Sequence, residues 1–231
     1  MAYIGLISDT HGYFDEKVRR FLEPVDVLWH AGDFGDGLTM QELAAFKPLL
    51  GVYGNCDGYD VRDYHPVMRF FEQDGMSVLM THIGGYPGRY DYRALRLIEA
   101  YRPQIFVCGH SHILKVVRDK HYDMMVLNPG AAGIQGFHLV RTALRFRIED
   151  GQLKDMEVGE WPRNNRQQIK YFLYETTALI LLRRPALQCR SLGPGAELRP
   201  GRPVLRQEGG QHGVQHRHPP QLVQELRQVL V

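Results

Sequence analysis

Five short polar motifs in this chain of 231 residues carry side chains suited to metal chemistry: Asp9-Thr10-His11, Gly32-Asp33, Gly54-Asn55, His82 and Gly109-His110-Ser111-His112. Together they offer two carboxylates, one amide carbonyl and four imidazoles. Mixed oxygen and nitrogen donors without thiolate suit divalent manganese, iron, zinc or nickel. Seven such donors exceed what one ion takes from protein while keeping a position open. They match two ions sharing a bridging carboxylate. The Asp-x-His and His-x-His spacings fit an extended exit from a strand, where alternate residues project to one side. Each motif alone has an ordinary reading, since Gly-Asp and Gly-Asn are common turn pairs and a single His after a strand is usually a satisfied polar group. Their order and placement set them apart: each follows directly on an apolar, strand-like run.

Those runs alternate with helical spacings in the first half of the chain. Tyr3 to Ser8, Val25 to His30 and Leu49 to Tyr53 read as buried strands. Phe14 to Leu22 and Leu38 to Phe46 read as helices stopped by Pro24 and Pro48. Val67 to Phe71 and Met76 to Met80 flank Gln73-Asp74-Gly75, a hairpin signal. Tyr92 to Tyr101 is helical and Gln104 to Cys108 a strand. Ile113 to Val117, Met124 to Leu127, Phe137 to Ile148 and Leu153 to Val158 complete the strands. This order predicts an α/β body with two facing sheets and helices outside. In such sheets ligands sit beyond the carboxyl ends of the strands, where the five motifs fall.

The set Asp9-x-His11, Gly32-Asp33, Gly54-Asn55, His82 and Gly109-His110-x-His112 resembles the signature of the calcineurin-like metallophosphoesterases, over about residues 1–160. Gly54-Asn55-Cys56-Asp57 and Asn128-Pro129-Gly130 are similar to loops of its small bacterial and archaeal phosphodiesterase branch. The resemblance implies a four-layer α/β/β/α sandwich with two facing mixed sheets. It implies that Asp9, His11 and His112 hold one metal, that Asn55, His82 and His110 hold a second, and that Asp33 bridges both. Manganese comes first among the candidate ions, with iron, zinc and nickel behind it. A hydroxide between the ions would attack phosphorus, which makes a phosphodiesterase of small phosphodiesters. Asn55 and His82 would serve catalysis as well as ligation, and Asn55 and Cys56 would face the substrate. A phosphomonoesterase on the same site is the alternative. So is a scaffold without catalysis, the use that a retromer subunit makes of this fold. The broader family places His where this chain has Cys56, and a thiol is a weaker acid than imidazolium at neutral pH. The plainer reading of Cys56 is a small residue with no chemical role.

Other residues have structural readings. His30 and His65, near the motifs, are read as structural, and His121 and His138, in the hairpin region, as surface residues. Tyr13, Tyr86, Tyr90 and Tyr92 either stack on an aromatic group of the substrate or pack down their own loops. Arg89 and Arg93 are either second phosphate contacts or exposed charges.

The formal net charge of +2 hides a division. Residues 1–165 carry a net −4 and residues 166–231 a net +6. An acidic body argues against long nucleic-acid substrates. The domain reading is a phosphoesterase body over 1–162 and a basic, mostly disordered tail over 163–231. Residues 166–231 lack Asp, Asn, Met and Trp and are rich in Arg, Gln, Pro and Gly. Two accounts fit that composition equally: a low-complexity extension, or a gene read in a shifted frame near its end. No apolar stretch reaches membrane-spanning length and no cleaved leader is expected. The three scattered cysteines fit a reducing cytoplasm rather than a disulfide framework. No Walker-type phosphate loop is present. The expected partner is a small phosphoester; oligomeric state is left open.

Overall fold

The computed structural model describes residues 1–163. All but the first residue of the expected tail lie outside the described residues.

The first half of the chain forms β1 (Tyr3–Ile7), α1 (Glu16–Leu22), β2 (Val27–His30), α2 (Gly37–Phe46), β3 (Leu49–Gly51) and the single turn α3 (Tyr59–Arg62). Hairpin-rich chain follows: β4 (Met68–Gln73), β5 (Met76–Thr81), and the short pair β6 (Gly85–Tyr86) and β7 (Arg89–Tyr90). Then come α4 (Tyr92–Tyr101), β8 (Ile105–Val107), β9 (Leu114–Asp119), β10 (Met124–Pro129), β11 (Val140–Glu149) and β12 (Gln152–Pro162). The three longer helices begin where an aspartate can cap them. Asp15 accepts from Val18 N at 3.1 Å, Asp36 from Thr39 N at 2.7 Å, and Asp91 from the amides of Arg93 and Ala94. Each satisfies donors that the first helical turn leaves unpaired.

The strands form two five-stranded mixed sheets, ordered β12-β11-β1-β2-β3 and β4-β5-β8-β10-β9. β1, β2 and β3 run parallel, as do β5, β8 and β10, while the pairings of β11 with β1 and β12, of β4 with β5 and of β9 with β10 are antiparallel. Alternation along β1 explains the layering. Tyr3 and Ile7 pack into one core with Val18 and Leu22 of α1 and Met40 and Leu43 of α2. Ile4 and Leu6, also buried, point to the opposite face. Across the second sheet, Leu79, Phe106 and Val126 pack against Ala94 and Ile98 of α4. Trp29 of β2 joins the sheets, edge-on to Phe146 of its own sheet at 5.8 Å and to Phe71 of β4 at 5.2 Å. The layers are therefore helix, sheet, sheet, helix, the sandwich expected from the sequence.

Three local expectations change. The strand expected from Phe137 begins at Val140, and Phe137 and Leu139 stand exposed on the loop before it. The last strand runs on to Pro162, because β12 pairs with β11 from Gln152 to Pro162 with one register shift between Arg145 and Arg147. α3 and the β6-β7 pair had no periodicity to announce them, being one turn and two residues per strand.

Candidate metal centre

Register lines up the strand ends. Ile7 pairs with His30 and His30 with Gly51; Met80 pairs with Val107 and Val107 with Leu127. The loops leaving β1, β2, β3, β5 and β8 thus emerge together. Backbone bonds stitch them: Asp9 N donates to Gly32 O, His11 N to Asp33 O and Gly109 N to His82 O. The expectation of an extended exit fails, however. Asp9 (φ 54°), His11 (47°), Asp33 (58°), His110 (64°) and His112 (56°) all adopt left-handed backbone. Turns, not pleat alternation, aim these side chains. Each such non-glycine residue costs on the order of 1 kcal/mol and persists only where the surroundings over-determine it.

The surroundings here are specific. The buried Asp57 carboxylate accepts from the backbone N–H of Asp33 (3.0 Å), Gly54 (2.7 Å) and Gly35 (2.9 Å), locking the loops after β2 and β3 together. A Cβ on Gly54 would collide with the Asp33 carboxylate, so only glycine lets the third loop approach. Asn128 donates to Gly109 O at 2.7 Å and accepts from Gly130 N at 2.9 Å, holding the loop of His110 and His112. Asp57 and Asn128 appear in the sequence motifs, but nothing in residue type marked them as organisers of these loops.

Within this frame Asp9 Oδ1 lies 3.1 Å from His112 Nε2 and 3.8 Å from His11 Nε2. Asp33 Oδ2 lies 3.2 Å from His82 Nε2 and 3.9 Å from His11 Nε2. Donor atoms of Asp9, His11 and His112 fall within 4.8 Å of one another, as do those of Asp9, Asp33 and His82, and of His11, Asp33 and Cys56. His110 donates its backbone N–H to Asp9 Oδ2 at 3.1 Å; its exposed ring lies 5.2 Å from that of His82. The Asn55 amide donates to Cys56 Sγ at 3.2 Å on the exposed rim.

These donors fit metal ions on the structure's own terms. His82 Nδ1 lies 2.8 Å from Ala31 O and donates its proton there, so Nε2 is the ring atom turned to Asp33, and in the neutral ring it would offer a lone pair to a metal. His11 Nε2 and His112 Nε2 face each other at 3.3 Å. Buried Asp9 Oδ1 and His82 Nε2 have no hydrogen-bond partner among the described residues. Nitrogen and carboxylate donors packed this closely, two of them without a hydrogen-bond partner among the described residues, suit cations bound between them.

The electrostatics follow. Burial raises the Asp33 carboxyl, but the adjacent His82 ring and the Cys56 N–H outweigh it and hold Asp33 far below the usual carboxylate range. Burial lowers His82, yet Asp33 and Asp9 raise it on balance. Burial dominates at His11 and lowers it. Burial, then the Asp33 charge, pushes the Cys56 thiol up to about 11, so it is neutral near pH 7.

The remaining candidates sort themselves. His30 and His65 are buried on either side of Phe34, stacked at 3.6 Å and 4.8 Å. Tyr13 donates to Asp15 and Tyr90 to Asp119, so these two pack their own loops. Tyr92, Arg89 and Arg93 are exposed. His138 is not a surface residue: it is half-buried, and burial and the Arg163 charge lower its imidazole. Arg163, at the first position of the expected tail, carries no sequence signal of a role in the body.

The sequence profile of the calcineurin-like phosphoesterase superfamily domain matches residues 3–151, so the chain belongs to that family. A relative described as a probable metallophosphoesterase, from Methanothermobacter thermautotrophicus, is 30% identical over 162 residues, which span 67% of this chain and 90% of that one. A solved archaeal protein described as a phosphodiesterase is similar in fold, with a TM-score of 0.54, 22% identity, and 68% and 99% of the two chains covered. Vacuolar protein sorting 29 from Chaetomium thermophilum is similar in fold as well, with a TM-score of 0.54, 16% identity, and 70% and 97% covered. The family binds divalent metals, and Asp9, His11, Asp33 and His82 are candidate ligand groups here. No helix among the described residues is long and apolar enough to cross a membrane.

Proposed function

We propose that the chain is a dinuclear-metal phosphodiesterase acting on small phosphodiesters in a reducing, cytoplasmic setting, with manganese as the first candidate ion. The observation that carries this reading is the convergence of five loops on two buried, unpartnered donor atoms, Asp9 Oδ1 and His82 Nε2. Asp9, His11 and His112 would hold one ion, and Asn55, His82 and His110 the other. Asp33, within 3.9 Å of both His11 and His82 nitrogens, would be the carboxylate shared between the two ions. Bound metals supply Lewis acidity toward water and phosphoryl oxygens.

The chain's own groups do the rest. The Asn55 side chain stands at the rim with an amide N–H able to donate to a phosphoryl oxygen. The Cys56 backbone N–H fixes Asp33 Oδ1 at 2.8 Å, leaving Oδ2 for the ions. His82 is oriented by Ala31 O and keeps Nε2 turned inward. The net negative charge of residues 1–165 supports small substrates over long nucleic acid.

The test is a metal-by-substrate panel on the full chain, stripped with chelator and reloaded with manganese, iron, zinc or nickel. Bis(p-nitrophenyl) phosphate should be hydrolysed faster than p-nitrophenyl phosphate. The reverse order would favour a monoesterase. Metal binding with no hydrolysis of either would favour a scaffold.

A further inference from the structure

Arg163 is an anomaly in the described body. It is 6% exposed, and its Nε, Nη1 and Nη2 all lack a hydrogen-bond partner among the described residues. The other buried arginine, Arg141, is committed at both Nη atoms, to Ala132 O at 3.1 Å and Asp15 Oδ2 at 2.8 Å. A buried guanidinium with no acceptor is costly, and Arg141 nearby adds repulsion rather than relief.

What surrounds Arg163 is also rich in donors. His112 turns Nε2 toward Asp9 and Nδ1 toward Gly136. A Cβ on Gly136, a glycine with φ 111°, would collide with both His112 Nδ1 and Arg163 Nη1. The ring edge and the guanidinium therefore close on one spot. If Nε2 of His112 serves as a ligand, Nδ1 carries the proton and is a further donor. Half-buried His138 lies close enough to feel the charge of both Arg163 and His112. The carboxylate charge that favours Arg163 is that of Asp9, which already faces His112 and the His110 amide.

We propose that Arg163, with His138 and the Nδ1 edge of His112, forms a binding site for a phosphate-class oxyanion beside the metal centre. A guanidinium fork matches two oxygens of such an anion. The Arg163 backbone N–H donates to Leu139 O at 2.9 Å, which fixes the residue beneath the 134–139 loop. That loop lies over the site and is lightly tethered: among the described residues no backbone–backbone hydrogen bond reaches residues 134–138, the His138 ring bonds the Ser111 backbone, and Phe137 and Leu139 are exposed. Lifting it opens the guanidinium to an anion.

The site goes beyond the proposed reaction, and its guanidinium does not need the metals; the His112 Nδ1 edge would add a donor only when Nε2, which faces Asp9 Oδ1 at 3.1 Å, is ligated. It serves either a second, non-reacting phosphoryl group of the substrate or free phosphate. In the first arm, the full chain is stripped of metal and titrated with inorganic phosphate, following thermal unfolding and calorimetric heat. Phosphate should bind and stabilise the protein. Arg163→Gln should weaken binding by about tenfold or more, and Arg163→Lys less. His138→Gln, which keeps Arg163 in place, should weaken it more modestly. Equal phosphate binding by Arg163→Gln and the parent chain would overturn the proposal. So would an Arg163→Gln chain that loses stability while Arg163→Lys and His138→Gln bind phosphate as the parent does. The second arm uses the metal-loaded enzyme. A KM increase in Arg163→Lys larger for a diester bearing a terminal phosphate than for bis(p-nitrophenyl) phosphate assigns the site to substrate. Relief of inhibition by inorganic phosphate, with matched KM changes, assigns it to the free anion. Because the first arm contains no metal and no turnover, an inactive enzyme would not touch its result.

Discussion

At the scale of the residue, backbone and side chain contribute differently in the same loop. Cys56 positions Asp33 through its backbone N–H at 2.8 Å, a contact that any residue supplies. Its thiol is neutral near pH 7 and exposed at the rim. Cys56→Ala should therefore keep diesterase activity within about tenfold of the parent, and a loss of several orders of magnitude in kcat would give the thiol a chemical role. Asp33 is the opposite case, since both Oδ2 contacts are side-chain contacts. Asp33→Asn should lower metal content per chain and cut kcat/KM by more than about a hundredfold. Metal analysis and diester kinetics on one preparation check both. Asp57 touches no candidate donor atom, yet its carboxylate satisfies three backbone N–H groups of the loops. Asp57→Ala should lower unfolding free energy by about 2–4 kcal/mol, read from denaturant midpoints.

At the scale of the element, a neutral histidine props up the loop after β2. Gly32 N donates to His30 Nδ1 at 3.1 Å, leaving Nε2–H to meet Thr10 Oγ1 at 3.0 Å, and Thr10 donates on to Phe34 O at 3.0 Å. Protonation of His30 Nδ1 would break the Gly32 bond next to Asp33. Burial holds His30 well below the ordinary imidazole range, and burial lowers His65 too. The unfolded chain takes up these protons first as pH falls. Stability is therefore complete above about pH 6.5 and declines below it, by up to about 1.4 kcal/mol per pH unit for each histidine. Denaturation midpoints of metal-free protein from pH 8 to pH 5 should fall accordingly. His30→Gln should flatten the slope, and an unchanged slope would remove His30 from the account. The strands and α4 were legible because burial imposes a period on apolar residues, and Tyr92–Tyr101 matches its expected bounds. The ligand-bearing loops were legible only as residue types. Their left-handed backbone was hidden because Asp and His, not Gly, occupy those positions. Arg163 was hidden because its neighbours, His112 and Gly136, come beside it only in the folded chain.

At the scale of the molecule, the candidate centre lies across the seam of the sandwich. Asp9, His11 and Asp33 leave the sheet of β1 and β2, while His82, His110 and His112 leave the sheet of β5 and β8. The apolar side chains around Trp29 hold the sheets along their length, but at this end the contacts are carboxylates and imidazoles. Without cations, the unpartnered Asp9 Oδ1 and His82 Nε2 make this end the weaker one. Metal should therefore act as a clamp between the sheets as well as a cofactor. An ion at a hundred times its Kd adds about 2.7 kcal/mol to folding. For a body of this size that corresponds to roughly 5–10 °C in Tm per ion. Adding manganese to chelated protein should raise Tm by this order. Hydrogen exchange should slow at the ends of both sheets together, at Ile7 to Asp9 and at Val107 to His110. Asp33→Asn should lose most of the metal-dependent rise, since it removes the carboxylate shared between the histidines of the two sheets. A rise confined to one sheet, or one that survives intact in Asp33→Asn, would place metal on one side of the seam and refute the clamp.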